Sequence, residues 1–146
     1  MLRTAWLYGE SGKNFVKAIL KAADGGGPLR VVADQVGSPT WTRHLAHAIS
    51  DLIRTPARGL FHVANGGACS RFEFAQAIVD GRVEVLPITS AEAGRPAPRP
   101  ANSALVSERW EQVGLRPLPD WSAALAEFKR GGGDAKQLSG DRNVAR

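Results

Sequence analysis

Cysteine is almost absent from this 146-residue chain: only Cys69 is present, which excludes an internal disulfide and a thiolate metal cluster. That usage fits a reducing compartment, and a cytoplasmic location is expected. No apolar run approaches the ~20 residues that a membrane span needs, so no membrane association is expected. The N-terminus carries Arg3 but no apolar stretch behind it, so no secretory signal is expected either. Tyrosine occurs once, as Tyr8, and no Gly-rich G-x-x-G-x-x-G loop is present. Gly25-Gly26-Gly27 is no substitute, because a dinucleotide loop leaves a strand and opens a helix, whereas this triplet follows a helix.

Nor is there a basic stripe interleaved with aromatics. The net charge is +5, but Lys129, Arg130, Lys136, Arg142 and Arg146 against Asp134 and Asp141 put +3 of it beyond residue 128. A solvated basic tail, rather than a nucleic-acid site, is the expectation. From Gly131 onward, glycines and polar residues offer too little apolar surface to offset ordering entropy, so residues 131–146 are predicted to be a disordered basic tail.

The chain as a whole is 43% hydrophobic, and what remains, residues 1–130, is long enough for a globular domain to bury a core. Strands are predicted over Leu2–Leu7, Leu29–Ala33, Leu60–Ala64 and Val83–Ile88. Helical spacing joins Phe15, Ile19, Leu20 and Ala23, and Gly25-Gly26-Gly27-Pro28 stops that helix. Thr40 is a candidate N-cap for a helix carrying Trp41, Leu45, Ala48, Ile49 and Leu52. Ser70 and Glu73 form an S-x-x-E capping box ahead of Phe74 and Ile78. Ser107 is expected to cap a short helix ended by Gly114, and Asp120 a last one through Trp121, Leu125 and Phe128. Alternating strands and helices give an α/β fold.

Three blocks carry the chemical reading: Arg3-Thr4-Ala5-Trp6-Leu7-Tyr8-Gly9, Val32-Ala33-Asp34-Gln35-Val36-Gly37-Ser38-Pro39-Thr40, and Arg99-Pro100-Ala101-Asn102-Ser103-Ala104-Leu105. Ligands of open α/β sheets bind beyond strand C-termini, where Trp6 and Tyr8 fall. Asn14 and Phe15 open the first helix, whose N–H groups and dipole suit an anion, although Asn14 could serve only as a cap. Gly37 is expected to supply an unusual backbone angle, and Asp34 and Gln35 either to orient substrate hydroxyls or to lock the turn, locking being the favoured role for most of the block. Arg99 offers a planar fork of donors to a phosphate; Arg95 could assist or be solvated. His44 and His47 lack a third ligand at metal spacing, and His62 reads as a satisfied core histidine. Cys69 has neither a base nor a CxxC partner and receives no catalytic role.

In this order and spacing the blocks resemble the dTDP-4-dehydrorhamnose reductase family, extended short-chain dehydrogenase/reductases. The resemblance is to the C-terminal half and runs from about Leu2 to Phe128. It implies a Rossmann-like fold lacking the N-terminal dinucleotide-binding half. It implies a substrate site in which Trp6 is an apolar platform for the deoxysugar, with Asn14, Phe15, Arg99, Asn102 and Ser103 around the nucleotide. The family reaction passes hydride from NADPH to the C4 ketone of dTDP-4-dehydro-L-rhamnose, giving dTDP-L-rhamnose. A Tyr-x-x-x-Lys pair supplies the proton, and Tyr8 does not match it, because the residue four places on is Gly12 and Lys13 comes five on. No catalytic, cofactor-binding or metal-binding residue is therefore assigned, and the chain alone is expected to be inactive. Family members can bind Mg²⁺ at a dimer contact, but nothing here identifies its ligands.

Two departures stand out. Val106 stands where the family commonly has aspartate, and the link from Ile78 to Val83 is short. Expected partners are a dTDP-sugar and either a second copy of the chain or a separately encoded N-terminal half. Without that half, unpaired strand edges are expected to make the isolated chain unstable and prone to association. The alternative is a non-catalytic regulator resembling the beta subunit of methionine adenosyltransferase.

Overall fold

A computed structural model describes residues 1–131. The chain runs β1 (Leu2–Arg3), β2 (Leu7–Tyr8), α1 (Phe15–Ala23), β3 (Leu29–Val32), β4 (Val36–Gly37), β5 (Thr40–Trp41) and α2 (Thr42–Ile53). It continues through β6 (Phe61–His62), β7 (Cys69–Ser70), α3 (Arg71–Val79), β8 (Val85–Ile88), β9 (Asn102–Ser103), α4 (Glu108–Gln112) and α5 (Trp121–Gly131). The mixed α/β order expected from the sequence is present. The tail expected over residues 131–146 lies outside the described residues, except Gly131, which ends α5.

The strands are short and mostly parallel. β1 pairs with β6, β2 with β5, and β3 with β8 over four residues, Leu29 facing Val85 and Val32 facing Ile88. β4 lies between β7, antiparallel, and β9, parallel. The strand expected over Leu2–Leu7 is two strands, because Trp6 adopts a φ of +43° between them. That left-handed turn sends β1 to β6 and β2 to β5, so one segment serves two sheets.

Two aromatic-rich cores hold the elements. Tyr8, Val16, Ile19, Trp41, Phe74, Ile78 and Phe128 form the first. Tyr8 meets Phe128 edge-on at 5.4 Å, and Phe15 stacks on Phe74 at 5.7 Å. Phe61 and Trp110 centre the second, 6.3 Å apart. Phe74 has no exposed surface, and truncating such a residue to alanine costs roughly 3–5 kcal/mol.

Helix ends follow local chemistry. Asn14 caps α1 by accepting from the Lys17 N–H. Ser70 and Glu73 form both bonds of the expected capping box at α3. Asp120 accepts from Ser122 N–H and Oγ at the start of α5. Thr40 is not a cap: it is fully buried in β5 and its hydroxyl donates to Ser38 O, while α2 starts after Trp41 without a side-chain cap. Ser107 holds the N-cap position of α4 but makes no capping bond. His62 is not the satisfied core histidine expected, since its buried Nε2 has no partner among the described residues.

Candidate functional site

The V-A-D-Q-V-G-S-P-T block organises the site. The Asp34 carboxylate accepts from Ser90 N–H at 2.9 Å and Ser90 Oγ at 2.7 Å, and these bonds hold it below the usual carboxylate range. The Gln35 side-chain amide donates to the same Ser90 Oγ, and the Gln35 carbonyl accepts from Arg71 N–H. Val36 N–H donates to Ala101 O, and Ser103 Oγ donates to Val36 O. Three consecutive residues thereby tie down α3's first residue, the base of the loop carrying Arg95 and Arg99, and β9. These bonds form the structural lock favoured for the block, and Gln35 lines the adjoining cleft as well.

Trp6 is clamped from three directions. Its Nε1–H donates to Ser103 Oγ at 3.1 Å. A Cβ at Gly37 would stand 2.2 Å from the indole, so only glycine lets the ring lie there. The Arg71 guanidinium sits 3.6 Å from the centre of the Trp6 ring and 4.9 Å from that of Phe15. Gly37 thus serves close approach, not the unusual backbone angle expected: its φ lies outside the left-handed region.

Trp6, Phe15 and Arg71 border a cleft of about 730 Å³, lined also by Asn14, Arg95 and Arg99 among others. That volume suits a small-molecule ligand. Four of the six residues expected to bind substrate meet here: Trp6, Asn14, Phe15 and Arg99. Asn14 is also a structural residue, its Nδ2 donating to Gly9 O while Oδ1 caps α1. Asn102 and Ser103 are not on the cleft lining. The Asn102 side chain accepts from Ala104 N–H, and the Ser103 hydroxyl is occupied by Trp6 and Val36. They act on the cleft from behind, by fixing Trp6 and β4.

Among the described residues the lining contains no Asp or Glu, yet it contains Lys13, Arg30, Arg71, Arg95 and Arg99. Arg30 has Glu92 at 3.8 Å. Burial, followed by the charges of Arg99 and Arg95, pushes the Arg71 pKa down to about 10, so it stays charged at neutral pH. The sequence reading missed Arg71. Its one sequence signal was a cation at the first position of a helix, where the dipole disfavours it.

Other groups fall outside the cleft's chemistry. The Tyr8 hydroxyl is buried without a partner among the described residues, and burial raises its pKa far above the normal tyrosine value. A proton donor needs the opposite environment. Cys69 is buried, and desolvation first, then Glu73, push its thiol up to about 12, which makes it inert. His44 accepts from Asn65 Nδ2 at Nδ1 and faces Glu127 Oε2 at 3.3 Å through Nε2. Val106 lines a separate cleft with Gly66 and Leu118.

The described residues do not fit a dinucleotide. Gly25, Gly26 and Gly27 lie between the end of α1 and the start of β3, and the loop from β2 into α1 carries Gly9 and Gly12 but has Phe15 where G-x-x-G-x-x-G needs its third glycine. No group of three His, Cys, Asp or Glu among the described residues is placed to hold a metal ion. No helix among them is long and apolar enough to cross a membrane.

Residues 1–131 match the family model described as "RmlD substrate binding domain". Spore coat polysaccharide biosynthesis protein SpsK of Bacillus subtilis is 44% identical over 131 residues, covering 88% of this chain and 46% of SpsK. The dTDP-4-dehydrorhamnose reductase of Mycobacterium tuberculosis is 44% identical over 132 residues, covering 86% of this chain and 43% of the reductase. A crystal structure of the Bacillus anthracis dTDP-4-dehydrorhamnose reductase, in complex with NADP, superposes with a TM-score of 0.85. It is 39% identical and is covered over 47% of its length by 89% of this chain. A dTDP-glucose 4,6-dehydratase at 13% identity, TM-score 0.69, shares the fold. The chain spans less than half the length of the relatives named here. By the match over residues 1–131 and these identities, the chain belongs to the dTDP-4-dehydrorhamnose reductase family, through its RmlD substrate binding domain.

Proposed function

We propose that this chain supplies the nucleotide-sugar-binding part of a dTDP-4-dehydrorhamnose reductase. The observation that carries the reading is the cleft with a clamped Trp6, a neighbouring Phe15 and several arginines without carboxylates on the lining. Such a lining gives apolar surface to a deoxyhexulose or base and positive charge to a diphosphate. The residues here bind and orient: Arg99 meets phosphate, Trp6 and Phe15 bound the sugar, and Asn14 sets the start of α1.

In the complete reaction, NADPH supplies hydride to the C4 ketone of dTDP-4-dehydro-L-rhamnose and a tyrosine supplies the proton. Neither part fits the described residues, since Tyr8 is sealed in the core and no dinucleotide cradle is formed. Both would come from a partner segment, covalently attached or separately encoded. The alternative of a regulator resembling the beta subunit of methionine adenosyltransferase has no observation in its favour.

Calorimetric titration with dTDP-rhamnose and, separately, NADPH tests the proposal. Binding of the sugar nucleotide without NADPH supports a substrate half. A folded sample that binds neither overturns it.

A further inference from the structure

Arg71 is a half-buried cation with no counter-charge among the described residues. Its guanidinium packs against two aromatic rings, Trp6 at 3.6 Å and Phe15 at 4.9 Å. Among the described residues, no carboxylate lies within ion-pair distance of Arg71, Arg95 or Arg99. Instead Arg95 and Arg99 line the same cleft, close enough for their charges to oppose that of Arg71. Its position at the start of α3 adds the unfavourable end of the helix dipole. Taking part of a charge out of water beside two like charges carries a cost that a bound anion would offset. A guanidinium packed on rings through its flat faces keeps its N–H donors at the rim.

The backbone supports this arrangement. Gln35 holds Arg71 through its carbonyl and the Arg95–Arg99 loop through its bond to Ser90, so one residue sets the spacing of both cation-bearing segments. Arg71 also covers Trp6, so a ligand reaching that indole meets the guanidinium as part of the same surface.

Resting on the substrate-half reading, we propose that Arg71 joins Arg95 and Arg99 in a three-arginine subsite that selects a diphosphate over a monophosphate and over uncharged sugar. A dinucleotide cofactor also carries a diphosphate. The apolar walls of Trp6 and Phe15, and the lack of a full dinucleotide glycine pattern among the described residues, assign the subsite to the nucleotide sugar.

The test titrates the 146-residue chain with thymidine diphosphate, thymidine monophosphate, inorganic diphosphate, dTDP-rhamnose and NADPH. The wild type is compared with R71M and R71K, each checked for a native thermal transition. Charge-assisted bonds of this kind are each worth about tenfold or more in affinity. R71M is expected to weaken thymidine diphosphate by at least about tenfold while thymidine monophosphate changes by less than about threefold. R71K is expected to fall between, because lysine keeps the charge and loses the planar fork.

Wild-type affinity for thymidine diphosphate in R71M overturns the proposal. Tighter binding of NADPH than of thymidine diphosphate also overturns it, giving the subsite to the dinucleotide. If R71M does not fold, the wild type decides: equal affinities for the diphosphate and the monophosphate overturn the proposal, and a large preference for the diphosphate supports it. Binding of inorganic diphosphate without dTDP-rhamnose would retain the subsite and remove the nucleotide-sugar reading. Binding of dTDP-rhamnose independent of Arg71 would do the reverse.

Discussion

Gly37 and Trp6 are in direct contact across two sheets: the space a Gly37 Cβ would fill is taken by the indole, 2.2 Å from its nearest ring atom. Gly37 lies in β4 and Trp6 between β1 and β2, so this contact joins the two segments that bound the cleft. It also helps explain why a bulky residue tolerates a φ of +43°. Such a conformation costs of order 1–3 kcal/mol and persists where surrounding contacts determine it. Ser103, Gly37 and Arg71 provide those contacts.

Gly37→Ala is therefore expected to push the indole out of place. Overpacking of this kind costs about 1–3 kcal/mol, read as a lower thermal midpoint. Binding of dTDP-rhamnose should weaken in parallel. An alanine variant with wild-type stability and affinity would show that Trp6 is not held by this contact.

Tyr8→Phe removes a hydroxyl that is buried without a partner among the described residues. Its effect on stability is expected to be neutral to stabilising, by up to about 1 kcal/mol. Denaturant titration would reveal an opposite result, a clear loss, if a buried water satisfies the hydroxyl. Sugar-nucleotide binding should be unchanged.

Acid should destabilise the domain through three carboxylates. Ser70 N–H lowers the Glu73 pKa, the Ser90 hydroxyl that of Asp34, and Thr89 N–H that of Glu92. A carboxylate with a folded pKa below its unfolded value of about 4 adds stability above pH ~4. That stability is lost as pH falls through the folded values. Melting midpoints should therefore drop below about pH 4, and the drop should shrink in E73Q and D34N. A wild-type midpoint independent of pH across this range would contradict the assignment.

Strands β1 and β6 pair only with each other among the described residues, leaving outer edges open. Open parallel edges invite association, so the isolated chain is expected to self-associate and to melt with weak cooperativity. Sedimentation and calorimetry read both properties. A monomer with a sharp transition would mean that the edges are protected.

The isolated chain should not consume NADPH in the presence of dTDP-4-dehydro-L-rhamnose. Absorbance of the reduced nicotinamide follows the reaction directly. Turnover by this chain would require a hydride site and a proton donor within it, against the burial of Tyr8.

The sequence alone determined what depends on local order. The α/β alternation, the stop after α1, the capping box of Ser70 and Glu73, and the Asp120 cap follow from residues within a few positions of one another. The three blocks were long enough to reveal the family, and Asp34 and Arg99 could be read within them. Tertiary structure decided the rest, because it depends on residues far apart in the chain. Leu2–Leu7 breaks at Trp6 because distant strands β6 and β5 each claim one end. Thr40 is a strand residue because β2 pairs beside it. Arg71, 65 residues from Trp6 by their numbers, becomes part of the cleft only when α3 is tied to Gln35. No local pattern can encode a cation left without a balancing charge, since only the folded neighbourhood shows that no described carboxylate pairs with Arg71.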